Sequence, residues 1–122
     1  MASQTEGNHR GGYIVSEPNG DRGRDIVTIA SGEVLQPGHV LGKVTSSGEY
    51  KSYNPGNADG SETAVAVSYD HVDATGGTKD AVITARSTEV NAGELVWFSG
   101  ATGTQKTAGM EELAAESEII SR

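Results

Sequence analysis

The chain has 122 residues, 34% hydrophobic and 5% aromatic, with no cysteine and a formal charge of −8 from nine basic and seventeen acidic residues. That length fits one domain with a modest core, and the missing cysteine excludes disulfide staples and thiolate metal sites. So acidic a surface is repelled by phosphate backbones, which argues against nucleic-acid binding, and no apolar run approaches the roughly 20 residues that span a bilayer.

A lean, unstapled core points to oligomerisation as the remaining source of stability. Met1 to Gly12 lacks the apolar stretch of a signal peptide. No Asn is followed at the second position by Ser or Thr, so the glycosylation pattern is absent. The expected setting is a cytoplasmic product, or one released by lysis.

In chain order, residues 1–24 read as a flexible arm rich in Gly, Asn, Ser and charge. Such a composition buries too little to offset its ordering entropy. Its one apolar cluster, Tyr13-Ile14-Val15, suits strand addition to a partner and is the candidate binding segment of the arm. The plainer alternative is a terminus without function.

The folded part is expected over residues 25–122. Ile26-Val27-Thr28-Ile29 is β-branched and strand-like. Pro37-Gly38 has the residues of a type II turn, with two very short strands around it. Gly48 marks another turn, Glu49 to Tyr53 a strand, and Asn54 to Gly60 a dense run of breakers in a surface loop. Thr63 to Tyr69 reads as a strand with Val65 and Val67 on one face and Ala64, Ala66 and Ser68 on the other. Gly76-Gly77 makes a turn, Ala81 to Ala85 a strand, and Glu94 to Phe98 is the most apolar stretch.

Thr102 and Gln105 have capping-box spacing, and Met110, Leu113 and Ala114 fall on one helical face, so a helix is expected from about Gly103 to Glu116. Ile119-Ile120 then forms a terminal strand or packed tail. The whole is a β-rich α+β domain with short strands, many turns and one C-terminal helix.

Local patterns that invite an enzymatic reading fail on inspection. Ser68, Asp70, His71 and Asp73 supply the residue types of a hydrolase triad, but triads are assembled from separated elements and these sit within one strand end and its turn. No Gly-x-Ser-x-Gly elbow occurs. If Gly60 is set at the sixth position of a calcium loop, Pro55 falls at the first and Ala66 at the twelfth, and neither side chain can coordinate. His9, His39 and His71 lack a metal-ligand partner at i+4. No catalytic, cofactor-binding or metal residues are assigned. Trp97, with Leu95 and Val40, is singled out instead as an anchor of either the core or a trimer interface.

The ordered segments Gly32-Glu33-Val34-Leu35-Gln36-Pro37-Gly38-His39-Val40-Leu41-Gly42, Tyr50-Lys51-Ser52-Tyr53-Asn54-Pro55-Gly56, Ala64-Val65-Ala66-Val67, Glu94-Leu95-Val96-Trp97, Gln105-Lys106-Thr107-Ala108 and Ile119-Ile120 resemble the head decoration proteins of lambda-like phages. No single piece is a sharp motif, and their order and spacing from Gly32 to Arg122 carry the resemblance. Some relatives place Pro after the tryptophan, where this chain has Phe98. The resemblance implies the small decoration-protein fold and a non-enzymatic homotrimer on the outer surface of the expanded head. It would be made in the host cytoplasm and would stabilise the shell against packaged DNA. The implied partner is the major capsid protein, met by strand pairing from the arm at residues 1–24, with Tyr13, Ile14 and Val15 its pairing segment. No cofactor, nucleic acid or membrane is implied.

Two other classes compete. The Gly32, Gly38 and Leu41 spacing is similar to turns of biotinyl, lipoyl or clip-like β carrier modules, but Lys43 and Lys51 lack the flanking context of a modified hairpin lysine. A carbohydrate-binding adhesin would use exposed aromatics, for which Tyr50, Tyr53 and Tyr69 are the candidates.

Overall fold

The computed structural model describes residues 12–17 and 23–121. The first strand comes earlier than composition suggests: β1 is Ile14–Ser16 and β2 is Arg24–Ile29. The two-residue β3 (Val34–Leu35) precedes the Pro37-Gly38 turn, and β4 (Val40–Lys43) follows it. That turn is closed by the His39 N–H donating to the Gln36 carbonyl at 3.1 Å, with Gly38 at φ +94°, the left-handed value a type II turn requires. Then come β5 (Tyr50–Ser52), β6 (Ala66–Ser68), β7 (Val72–Asp73), β8 (Lys79–Thr84) and β9 (Thr88–Val90). A single 3-10 turn at Ala92–Glu94, the helix α1 (Gly103–Ser117) and β10 (Ile119–Ser121) complete the chain. Among the described residues, ten short strands and one C-terminal helix make the β-rich α+β fold expected from the sequence.

Five strands close into a barrel in the order β2-β5-β4-β6-β8. The β2–β8 pairing is its longest, antiparallel from Arg24 opposite Thr84 to Ile29 opposite Lys79. The β2–β5 contact is parallel and rests on Ile29 opposite Tyr50. Side-chain alternation divides the barrel strands between two cores. Ile29, Leu41, Ala66 and Ile83 join Leu35, Val72 and Ala74 in one. Val40 and Val67 face the other way and are covered by Tyr13, Tyr53, Val90, Leu95, Leu113 and Ile119. This is why Ala66, Val67 and Ser68 are all buried rather than alternating in and out.

The expected face of Val65 and Val67 does not form. Val65 packs on the core of Leu41 and Ile83, and Val67 belongs to the other core. The strand begins only at Ala66, so period-two alternation cannot be extended back to Thr63. The apolar stretch Glu94 to Phe98 forms no strand of its own. It touches the sheet through one parallel bridge, His39 with Val96.

Helix α1 starts where expected. The Thr102 hydroxyl accepts from the Gln105 N–H at 3.2 Å, and the Gln105 side chain accepts from the Thr102 N–H at 2.9 Å. Both partners satisfy donors that the first helical turn leaves open. Glu118 ends the helix in the left-handed conformation at φ 53°, and its N–H donates to the Leu113 carbonyl. One helical residue is buried for a specific reason. A Cβ on Gly109 would lie 2.6 Å from Trp97 Cζ3, so the glycine lets the indole lie on the helix backbone.

Candidate functional site

The first and last strands meet in a second, three-stranded sheet of order β1-β9-β10. β9 is its centre, antiparallel to β1 and parallel to β10. Ile14 and Ser121 both pair with Val90, so the chain enters and leaves this sheet at the same end of β9. The inner face carries Val90 and Ile119 into the core. Among the described residues β1 and β10 are the edge strands of this sheet, each paired on one side only. Between Ile14 and Ser16 the register shifts, and Val15 stands 54% exposed at that irregularity. Ile120 on β10 is also exposed.

Tyr13, expected to offer its side chain to a partner, lies instead inside the protein at 2% exposure. An aromatic ring buries a large apolar area if its hydroxyl finds a partner, and here the phenol meets the Thr84 hydroxyl. Burial raises the phenol far above its ordinary pKa, so it stays a neutral donor–acceptor. The Tyr13 carbonyl accepts from the Asn91 N–H at 2.7 Å. Gly38 borders the ring, a Cβ there lying at ordinary contact distance, 3.6 Å from Tyr13 Cδ1; the Glu94 carbonyl oxygen, 2.7 Å from that point, is what requires the glycine. Ile14 is half-buried against the same core. Farther on, Glu17 makes an ion pair with Arg24, whose guanidinium carbon sits 4.3 Å above the Tyr69 ring. Of the three residues expected to pair with a partner, only Val15 presents its side chain outward. The remaining arm positions, 1–11 and 18–22, lie outside the described residues.

Val40 and Leu95 are buried in this chain's own core. Trp97 is half-buried at its rim, edge-on to Tyr53 with ring centroids 6.1 Å apart. Phe98 makes a second edge-on contact with Tyr53 at the same separation.

The other candidates occupy local structural roles. Ser68 Oγ donates to the Asp70 carbonyl at 2.9 Å, and the His71 N–H donates to Asp70 Oδ1 at 2.9 Å. Asp59 accepts from the Ser61 N–H and hydroxyl, which together hold its carboxyl down at about 2. Tyr53 is buried, Tyr50 is half-buried near Lys43, and Tyr69 lies under Arg24, so the three do not form a common aromatic platform. Lys51 sits mid-strand, 3.3 Å from Asp59.

One feature had no signal in the sequence. His39 Nε2 is 2.7 Å from Ser52 Oγ, and the Ser52 N–H donates to Glu33 Oε1 at 2.6 Å. Burial depresses the imidazole pKa, with the Glu33 carboxylate opposing it. The cluster ties the Pro37-Gly38 turn to β5.

Compared with known protein families, residues 3–119 match the family described as bacteriophage lambda head decoration protein D. No curated protein matches the chain.

Proposed function

The chain belongs to the bacteriophage lambda head decoration protein D family, a family of structural capsid components rather than enzymes, and from that premise we propose that it clamps the outside of a phage head as a homotrimer. It stabilises the expanded shell against the pressure of packaged DNA. The family match over residues 3–119 carries this reading.

Several features support its finer parts. A 34% hydrophobic chain without cysteine gains from partners, and Ile26 and Val34 are 76% and 60% exposed on their strands. Trimerisation would cover apolar side chains of this kind. Residues 1–24 act as the capsid-contacting arm, with the major capsid protein as partner. The edge of β1 offers backbone groups to an added strand, and Val15 offers the side chain.

Co-sedimentation with expanded and unexpanded heads tests attachment, and sedimentation equilibrium at micromolar concentration tests the trimer. Saturable binding to expanded heads and a trimeric mass are expected. Equal binding to both head forms, or a monomeric mass, would contradict the corresponding part.

A further inference from the structure

We propose that Tyr13 and the Glu17–Arg24 pair form a two-point clamp that fixes the root of the capsid-binding arm, which makes Tyr13 a positioning residue for attachment. The proposal rests on the reading that residues preceding β2 contact the capsid. Tyr13 is held in three ways: its ring is buried in the core with Val40 and Leu95, its hydroxyl meets Thr84, and its carbonyl accepts from Asn91. The second point is Glu17 on Arg24, with the guanidinium over Tyr69.

An exposed ion pair alone contributes little. Here the Arg24 fork is held between a carboxylate and an aromatic face, so less side-chain freedom is lost on pairing. Between the two points lies the irregular strand that turns Val15 outward. With both ends of the segment fixed, the edge of β1 keeps one direction before any partner arrives, so less of Tyr13 to Glu17 must be positioned on binding. Preorganisation of this kind raises affinity without adding a contact.

The test is the affinity for expanded heads, measured well below each variant's melting temperature so that all the proteins are folded. Tyr13→Ala should weaken binding by about tenfold or more, and Tyr13→Phe, which keeps the ring, should restore most of it. Glu17→Gln and Arg24→Gln should each weaken binding by about threefold with little change in melting temperature. The double variant should be no worse than either single one, because the pair acts as a unit. If Tyr13→Ala does not fold, this cycle alone carries the test.

Full binding by Tyr13→Ala, or additive losses at Glu17 and Arg24, would overturn the clamp, provided that deleting residues 1–11 still impairs attachment. If that deletion leaves binding intact, the arm reading itself fails and takes the clamp with it.

Discussion

Trp97 lies so close to the backbone of Gly109 that an added methyl group at that position would sit 2.6 Å from the indole Cζ3 and 3.0 Å from Cη2. Alanine is the better helix former by about 1 kcal/mol. Overpacking of this kind costs about 1–3 kcal/mol, and Tyr53 Cε2, 3.1 Å from the same point, blocks the ring's retreat. Gly109→Ala is therefore expected to lower the melting temperature despite its propensity. Gly103→Ala, whose new methyl group would meet no side chain and no backbone from outside its own helical turn within 4 Å, should be neutral or stabilising. A higher melting temperature for Gly109→Ala would show that the indole moves freely.

The helix ends give opposite expectations. Thr102→Ala removes half of the capping box and should cost about 1 kcal/mol in denaturant unfolding. Glu118→Gly relieves a left-handed backbone at φ 53° and should stabilise by up to about 1 kcal/mol. A destabilised Glu118→Gly would mean that the Glu118 side chain contributes more than its backbone costs.

The two halves of the arm should differ in their effect on stability. Deleting residues 1–11 should leave the thermal transition nearly unchanged. Deleting residues 1–16 removes Tyr13 from the core and should cost about 3 kcal/mol. Equal melting temperatures for the two truncations would place Tyr13 outside the core in solution.

Acid should act in two steps. His39 titrates below its ordinary value of 6.5 because burial disfavours the imidazolium. As pH falls, the unfolded chain takes up that proton first, so stability declines from about pH 6.5 downward, having been fully present above it. Asp59 and Asp73 titrate below 3.8, held down by hydrogen bonds from Ser61 and Thr75. Their contribution is present above about pH 4 and is lost as pH falls through their folded values. Urea midpoints measured from pH 8 to pH 3 should show both declines, and His39→Gln should remove the upper one. If the upper decline persists in that variant, another group is responsible.

Features set by neighbours in sequence were legible beforehand. The Pro37-Gly38 turn, the Thr102–Gln105 cap and the Met110–Leu113 face each depend on residues a few positions apart. Features that depend on distant partners were not. Thr88–Val90 is too short to show a period, yet it is the centre of the terminal sheet. Tyr13 was recognisable as the aromatic of a polar arm, but its partners are Gly38, Thr84 and Asn91. Nothing local distinguishes a ring bound for its own core from one bound for another protein. The reason for Gly109, a glycine inside a helix, is likewise a distant residue, Trp97.

The most direct test of the account is electron microscopy of expanded, undecorated heads mixed with the full chain. The account predicts added density on the outer surface at threefold and quasi-threefold positions, trimeric in shape and saturating with concentration. Heads that stay bare at saturating protein, or density elsewhere on the particle, would contradict it.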